Sequence, residues 1–181
     1  MADLTEAPAS PRRAVAEAEV AMSQETLSAI VDGTVPKGDV LGVAELVGVM
    51  AGKRTAELLP LVHQTPLTNL LVQAAPDRAA GVIRVRTETA ATAAADVEME
   101  ALTAAAVAAL AICDMVRDLD RAVQVRSIRI VSTSGNDPAS RRWPDDTVDR
   151  SRRRGTRAAG RIPGPRGPVG GSGPGASRRS P

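Results

Sequence analysis

A single tryptophan, Trp143, with neither phenylalanine nor tyrosine anywhere in 181 residues, is the feature that most limits what this chain can become. Any core has to be assembled from Ala, Val, Leu, Ile and Met, and small side chains each withdraw little apolar surface from water, at roughly 25 cal/mol per Å2. Association of several copies would supply burial that one copy of such a core lacks. The length suits one folded unit with an extension rather than two domains. Charge divides unevenly too: residues 1–140 hold twelve Lys or Arg against eighteen Asp or Glu, and residues 141–181 hold eleven Arg against three Asp. An acidic body precedes a basic end, and a nucleic-acid partner would have to be bound by that end alone.

From Ser134 onward Gly, Pro, Ser and Arg dominate, so residues 136–181 read as a disordered basic tail and residues 1–135 as the folded domain. Within the domain, RRAVAEAEVAM alternates apolar and charged positions at Val15, Glu17 and Glu19, the period of a half-exposed strand. Ser23 can cap a short helix through QETLSAIVD, which Gly33 can end in a left-handed conformation. After KGD, Val43, Leu46, Val47 and Met50 recur at helical spacing, predicting a helix over 40–58 that Pro60 stops. Strands are predicted over 67–73 and 81–89, with PDRAAG turning between them. An Ala-rich helix is predicted over 98–119 and a last strand over 123–131. The order βααββαβ is that of an α+β ferredoxin-like sandwich, an antiparallel sheet with helices on one face.

Cys113, the lone cysteine, has apolar neighbours in ALAICDM and reads as a buried thiol in a reducing compartment. The opening MADLTEAPASPRR has no apolar segment of the signal-peptide kind. The longest apolar run, 101–113, is shorter than a membrane span. A cytoplasmic protein without a membrane partner is expected.

An α+β sandwich selects no function by itself. The stretches KGDVLGVAELVGVMAGKRTAELLPLVH and VEMEALTAAAVAALAICDM, however, closely resemble the two signature regions of cyclic pyranopterin monophosphate synthases. MADLT, ETLSAIVDG and VRSIRIVSTSG are similar to their counterparts, so the resemblance runs over about residues 1–135. It implies an enzyme of molybdenum cofactor biosynthesis. Its substrate would be a GTP derivative with a cyclised ribose, converted to a pterin bearing a cyclic phosphate with release of pyrophosphate. It also implies a homo-hexamer, a trimer of dimers, with the pocket at a subunit boundary; no cofactor and no metal ligands are expected among the residues.

The residues fit that implication, each beside a plainer role. Lys37, before Gly38 and Asp39, places an ammonium beside a helix N-terminus, where a phosphate would be held; its plain role is that of a solvated loop cation. Of Lys53 and Arg54, one is a substrate contact and the other pairs with a carboxylate such as Glu57. His63, the only histidine, can pass a proton, or it can be structural. Glu98 and Glu100, two apart on a helix, cannot share a face, so at most one points into a pocket, and the resemblance places Glu98 there. Asp114 and Arg117 lie further along the same helix, as site residues or as a plain i, i+3 ion pair.

Four departures from the family's pattern fall near these residues. Val62 and Gln64 flank His63 where the family has Cys and Pro. Residues 93–96 read Ala-Ala-Ala-Asp in place of a Gly-Lys-Thr-Gly type of loop. Arg117 stands for a lysine, and Thr133 and Asp137 for two more. They leave two functional readings open: a synthase using Lys37, His63, Glu98, Asp114 and Arg117, or a non-catalytic paralogue that keeps the oligomer and binds nucleotide or an active relative.

Overall fold

The computed structural model describes residues 3–135, so the basic tail and Asp137 lie outside the described residues. The elements follow in the order β1 (Ser10–Ala21), α1 (Gln24–Val31), α2 (Val40–Gly52), α3 (Thr55–Leu58), β2 (Asn69–Asp77), β3 (Val82–Ala93), α4 (Glu98–Val116) and β4 (Gln124–Ser134). All strand pairs are antiparallel, in the sheet order β2-β3-β1-β4. With α2 and α4 packed on one face, this is the expected α+β ferredoxin-like sandwich.

Local signals start and stop the helices as the sequence suggests. Ser23 accepts a 3.2 Å hydrogen bond from the Thr26 amide at the start of α1, and Gly33 follows its end at φ 68°. Gly38, at φ 93°, turns the chain so that Asp39 caps α2 through the Gly42 amide at 2.9 Å. Asp120 joins two remote turns by accepting from the amides of Ser23 and Ala122, both at 2.8 Å. These two bonds, that from Ser23 foremost, hold its carboxyl below the usual range.

The core is a layer of small side chains. Ala14, Ala16, Ala18 and Val20 of β1 and Ile83 and Val85 of β3 meet Ala101, Ala104, Ala105, Ala108 and Ile112 of α4, all fully or almost fully buried. Two fully buried threonines of β3 tie the sheet to the start of α4: Thr89 donates to the Val97 carbonyl at 2.9 Å and Thr87 to that of Ala101 at 2.8 Å. Helix α2 runs antiparallel to α4, since Gly48 lies against Ala104 and Ala108 while Gly52 lies against Ala104 and the Glu100 carbonyl. A side chain at Gly48 would come within 2.9 Å of Val72 and 3.0 Å of the Ala104 carbonyl oxygen. Closeness of this kind is what lets an aromatic-free core exclude water.

Several elements differ from the sequence reading. The helix over 40–58 is two: α2 ends at Gly52, and α3 begins at Thr55, whose buried hydroxyl donates to the Gly52 carbonyl at 3.0 Å. The strand over 67–73 runs instead from Asn69 to Asp77, taking in Pro76, which an edge strand tolerates because its missing N–H is not needed on the open side. The last two strands run on to Ala93 and Ser134. Strand β1, expected to be half exposed, is central, and Glu17 is only 7% exposed. Arg86 at 2.8 Å and Arg129 at 3.4 Å, its cross-strand neighbours, cover it from both sides. Glu19, Arg84 and Asp77 continue this ion-paired outer face.

By length and composition α4 is apolar enough to cross a membrane, yet it serves as the core helix of this sandwich and half of it is buried.

Candidate active site

The candidate residues collect at the two ends of α4. At its N-terminal end, the loop after α3 brings His63 to a cleft of about 260 Å3 whose other walls include Leu61, Ala94, Asp96, Glu98 and Met99. A smaller hollow of about 40 Å3 adjoins it, lined by Arg12, Asp96, Glu98 and Thr133 among others. Glu98 lines both, and His63 and Glu98 both line the larger, so an imidazole and a carboxylate border one cleft.

Glu98 and Glu100 do part company as helical geometry requires. Glu100 is 3% exposed, turned into the protein, and its Oε2 has no hydrogen-bond partner among the described residues. Burial pushes its carboxyl above the usual carboxylate range. A substrate contact from Glu100 would therefore require this buried oxygen to be reached. Lys53 caps the C-terminus of α2 and Arg54 follows it, both exposed at this same end of α4, because α2 is antiparallel to it. The expected ion pair between one of them and Glu57 does not form; what links Arg54 and Glu57 is a backbone hydrogen bond of 3.0 Å.

At the other end of α4, Lys37 reaches across from the loop before α2. Its ammonium donates to the Asp114 carbonyl at 2.7 Å and lies 3.8 Å from the Asp114 carboxylate and 3.6 Å from that of Asp118. A cation on the last carbonyls of a helix is favoured by the dipole and satisfies an acceptor the helix leaves open. Lys37 thus stands beside the N-terminus of α2, as its sequence position suggests, and also caps α4. Asp114 pairs with Lys37, not with Arg117; Arg117 is the exposed C-cap of α4. Cys113, one turn before it, is half-buried against the core, and burial raises its thiol pKa.

Glu98 and Asp114 are sixteen residues apart on one continuous helix, which at 1.5 Å per residue separates them by about 24 Å. The chain thus carries His63, Glu98, Lys53 and Arg54 at one end of α4, and Lys37, Asp114 and Arg117 at the other. A single small molecule cannot touch both. Between the two ends, the outer side of the helical layer exposes Val43, Leu46 and Met50 of α2, one helical turn apart, and Leu110 of α4.

Three groups escaped the sequence reading. Arg12 was read only as part of a strand, though it lines the smaller hollow with Thr133 and Glu98. Asp96 stands in the sequence only as the end of a loop that departs from the family's pattern, and nothing there gives it the partner it has in Arg12. Asp118 shares Lys37 with Asp114, and its spacing of four from Asp114 on a helical face was the available signal. Among the described residues no group of His, Cys, Asp and Glu is arranged to hold a metal ion.

Comparison with known proteins places these features in a wider set. A model of the MoaC family matches residues 1–136. The chain is 44% identical over 135 residues to a cyclic pyranopterin monophosphate synthase of Chloroflexus aurantiacus, covering 75% of this chain and 83% of that one. It is 43% identical over 150 residues to the protein of the same name from Brucella canis, covering 78% of this chain and 91% of the relative. The Brucella ovis protein of that name is 44% identical over 135 residues.

Proposed function

The chain belongs to the MoaC family, and on that premise we propose that it is a cyclic pyranopterin monophosphate synthase, a lyase of molybdenum cofactor biosynthesis. The reaction converts (8S)-3',8-cyclo-7,8-dihydroguanosine 5'-triphosphate to cyclic pyranopterin monophosphate and pyrophosphate. The observation that carries this reading is the family match over residues 1–136, a segment that contains every candidate residue from Lys37 to Arg117. The protein works in the cytoplasm on this small-molecule substrate, with neither membrane nor nucleic acid as a partner.

Roles follow from the chemistry of each group. Lys37 and Arg117 supply fixed positive charge for the phosphates, with Lys53 or Arg54 of a second copy adding to it. Arg117 binds but carries no proton, because a guanidinium does not deprotonate near neutral pH. Proton movement falls to His63 and Asp114, and Glu98 orients the ring system by accepting hydrogen bonds.

The site is completed by a second copy of the chain. A two-fold axis across the α2 and α4 layer would set the Lys37 end of one protomer against the His63 end of its partner, since a two-fold pairing of antiparallel helices brings opposite ends together. The exposed apolar positions Leu46, Met50 and Leu110 on that layer support such a contact. Three such dimers make the hexamer.

The test is direct: purified protein is given the cyclised GTP intermediate, and pyrophosphate and pterin are followed beside a Lys37→Ala control. Turnover in the parent chain and its loss in the control are expected. Absence of turnover from a folded chain that still binds the substrate would overturn the reading and leave a non-catalytic paralogue.

A further inference from the structure

The connection from β3 to α4 has little of its own to hold it in place. Residues 94–97 read Ala-Ala-Asp-Val, without glycine or proline, and Asp96 is the only one whose side chain can form a hydrogen bond. Val97 stands at the N-cap position of α4 and provides no side-chain cap. Thr89 fixes the Val97 carbonyl from below, and nothing within the loop fixes the residues before it.

Arg12, from the start of β1 and more than eighty residues away in sequence, does so. Its Nε donates to the Ala93 carbonyl at 3.5 Å, its Nη2 to the Ala94 carbonyl at 3.3 Å and its Nη1 to Asp96 Oδ1 at 3.1 Å. Three donors of one planar fork thus follow three points of the loop in turn, which a lysine ammonium on a single flexible stem cannot reproduce. The guanidinium also lies close to Gly135, where a Cβ would come 2.7 Å from Nη1. Arg12 is accordingly only 16% exposed, whereas Asp96 is 71% exposed. Glu98 follows Asp96 by two residues and opens into the same hollow as Arg12.

Resting on the synthase reading, we propose that Arg12 and Asp96 are positioning residues that together hold the loop over 93–97 and so set Glu98 against the substrate. The bonds join the start of β1 to the connection from β3 to α4, and the guanidinium also lies close to the chain just after β4. With Asp96 so exposed, the ion pair contributes little to global stability, and its effect is local. Placement of a catalytic-site group affects the rate of the chemical step more than the affinity for the ground state.

A cycle of Arg12→Ala, Asp96→Ala and the double variant, with Asp96→Glu and Arg12→Lys beside it, separates this role from others. Arg12→Ala is expected to lower kcat about tenfold with KM within about twofold of the parent, and Asp96→Ala to lower it a few-fold. The double variant should be no slower than Arg12→Ala, because Asp96 acts through Arg12. Asp96→Glu should restore most of the rate and Arg12→Lys should not. Amide hydrogen exchange over residues 94–98, measured without substrate, should rise in both alanine variants while the midpoint of global unfolding stays in place. Exchange unchanged in Arg12→Ala together with a raised KM would overturn the proposal, since Arg12 would then act on the ligand itself. Independent, additive effects on kcat would also overturn it. A parent chain that turns over no substrate would defeat the synthase reading, while the exchange measurement would still decide whether Arg12 and Asp96 hold the loop.

Discussion

Mixing two inactive variants gives the most direct test of a site divided between copies. Lys37→Ala disables the C-terminal end of α4 and His63→Ala the N-terminal end, and the helix holds these about 24 Å apart. In a two-fold dimer each site takes one end from each subunit. Random association of the two variants in equal amounts makes half of the dimers mixed. Each mixed dimer has one site with both lesions and one with none, so about a quarter of parental activity returns. Co-expression with two affinity tags, followed by assay of pyrophosphate release, reads this number directly, and in a hexamer nearly all assemblies should carry both tags. Pairing Lys37→Ala with Asp114→Ala is the control: both lesions fall at the same end, and no mixed dimer holds an intact site. Absence of recovery in assembled, mixed dimers of the first pair would refute the reasoning, and recovery in the control pair would do so equally.

Two predictions concern stability. Gly48→Ala gains about 1 kcal/mol of helix propensity. It sets a methyl against a backbone carbonyl at 3.0 Å and Val72 at 2.9 Å, overpacking that costs about 2–3 kcal/mol, so chemical denaturation should show a net loss of about 1–2 kcal/mol; a gain would mean that α2 stands further from α4. Glu100→Gln removes a buried carboxylate whose folded pKa is raised by desolvation, a group that favours the folded state below its unfolded pKa and loses that contribution as pH rises through the folded value. Thermal unfolding near neutral pH should therefore show the variant more stable by about 1–3 kcal/mol, with the difference fading toward acid pH; a flat or inverted pH dependence would show Glu100 to be paired when charged.

Much of the architecture is legible in the sequence because it depends on neighbours along the chain. Ser23, Gly33 and Asp39 act within one turn of their own positions, and the alternation of Ile83 and Val85 with Arg84 and Arg86 fixes the faces of β3. What escaped depends on residues far apart. The end of α2 at Gly52 is set by the buried Thr55 hydroxyl and by packing against Leu70 and Ala104, while the spacing of apolar residues pointed past it to Pro60. Glu17 looks solvent-facing until two arginines on different strands cover it. The identities of Lys37, His63, Glu98 and Asp114 as candidates came from the resemblance, and no spacing rule brings Lys37 to Asp114 or Arg12 to Asp96 across more than seventy residues. Their division into two groups, by contrast, was implicit in the sequence: Glu98 and Asp114 belong to one predicted helix, and a helix keeps its ends apart.

The alanine layer on α4 has a consequence for how this chain can change. Every alanine codon is one base from codons for valine, threonine, serine, proline, aspartate or glutamate, and glycine, and all but the last add atoms. Ala101, Ala104, Ala105, Ala108 and Ala109 have no exposed surface into which added atoms can turn. In an aromatic-rich core, random mutation mostly removes volume and leaves holes. Here it mostly inserts volume where a neighbouring backbone already stands, so the drift open to this protein runs through its loops, its outer faces and the ends of its strands, and the departures around His63, at residues 93–96 and at Thr133 all lie there.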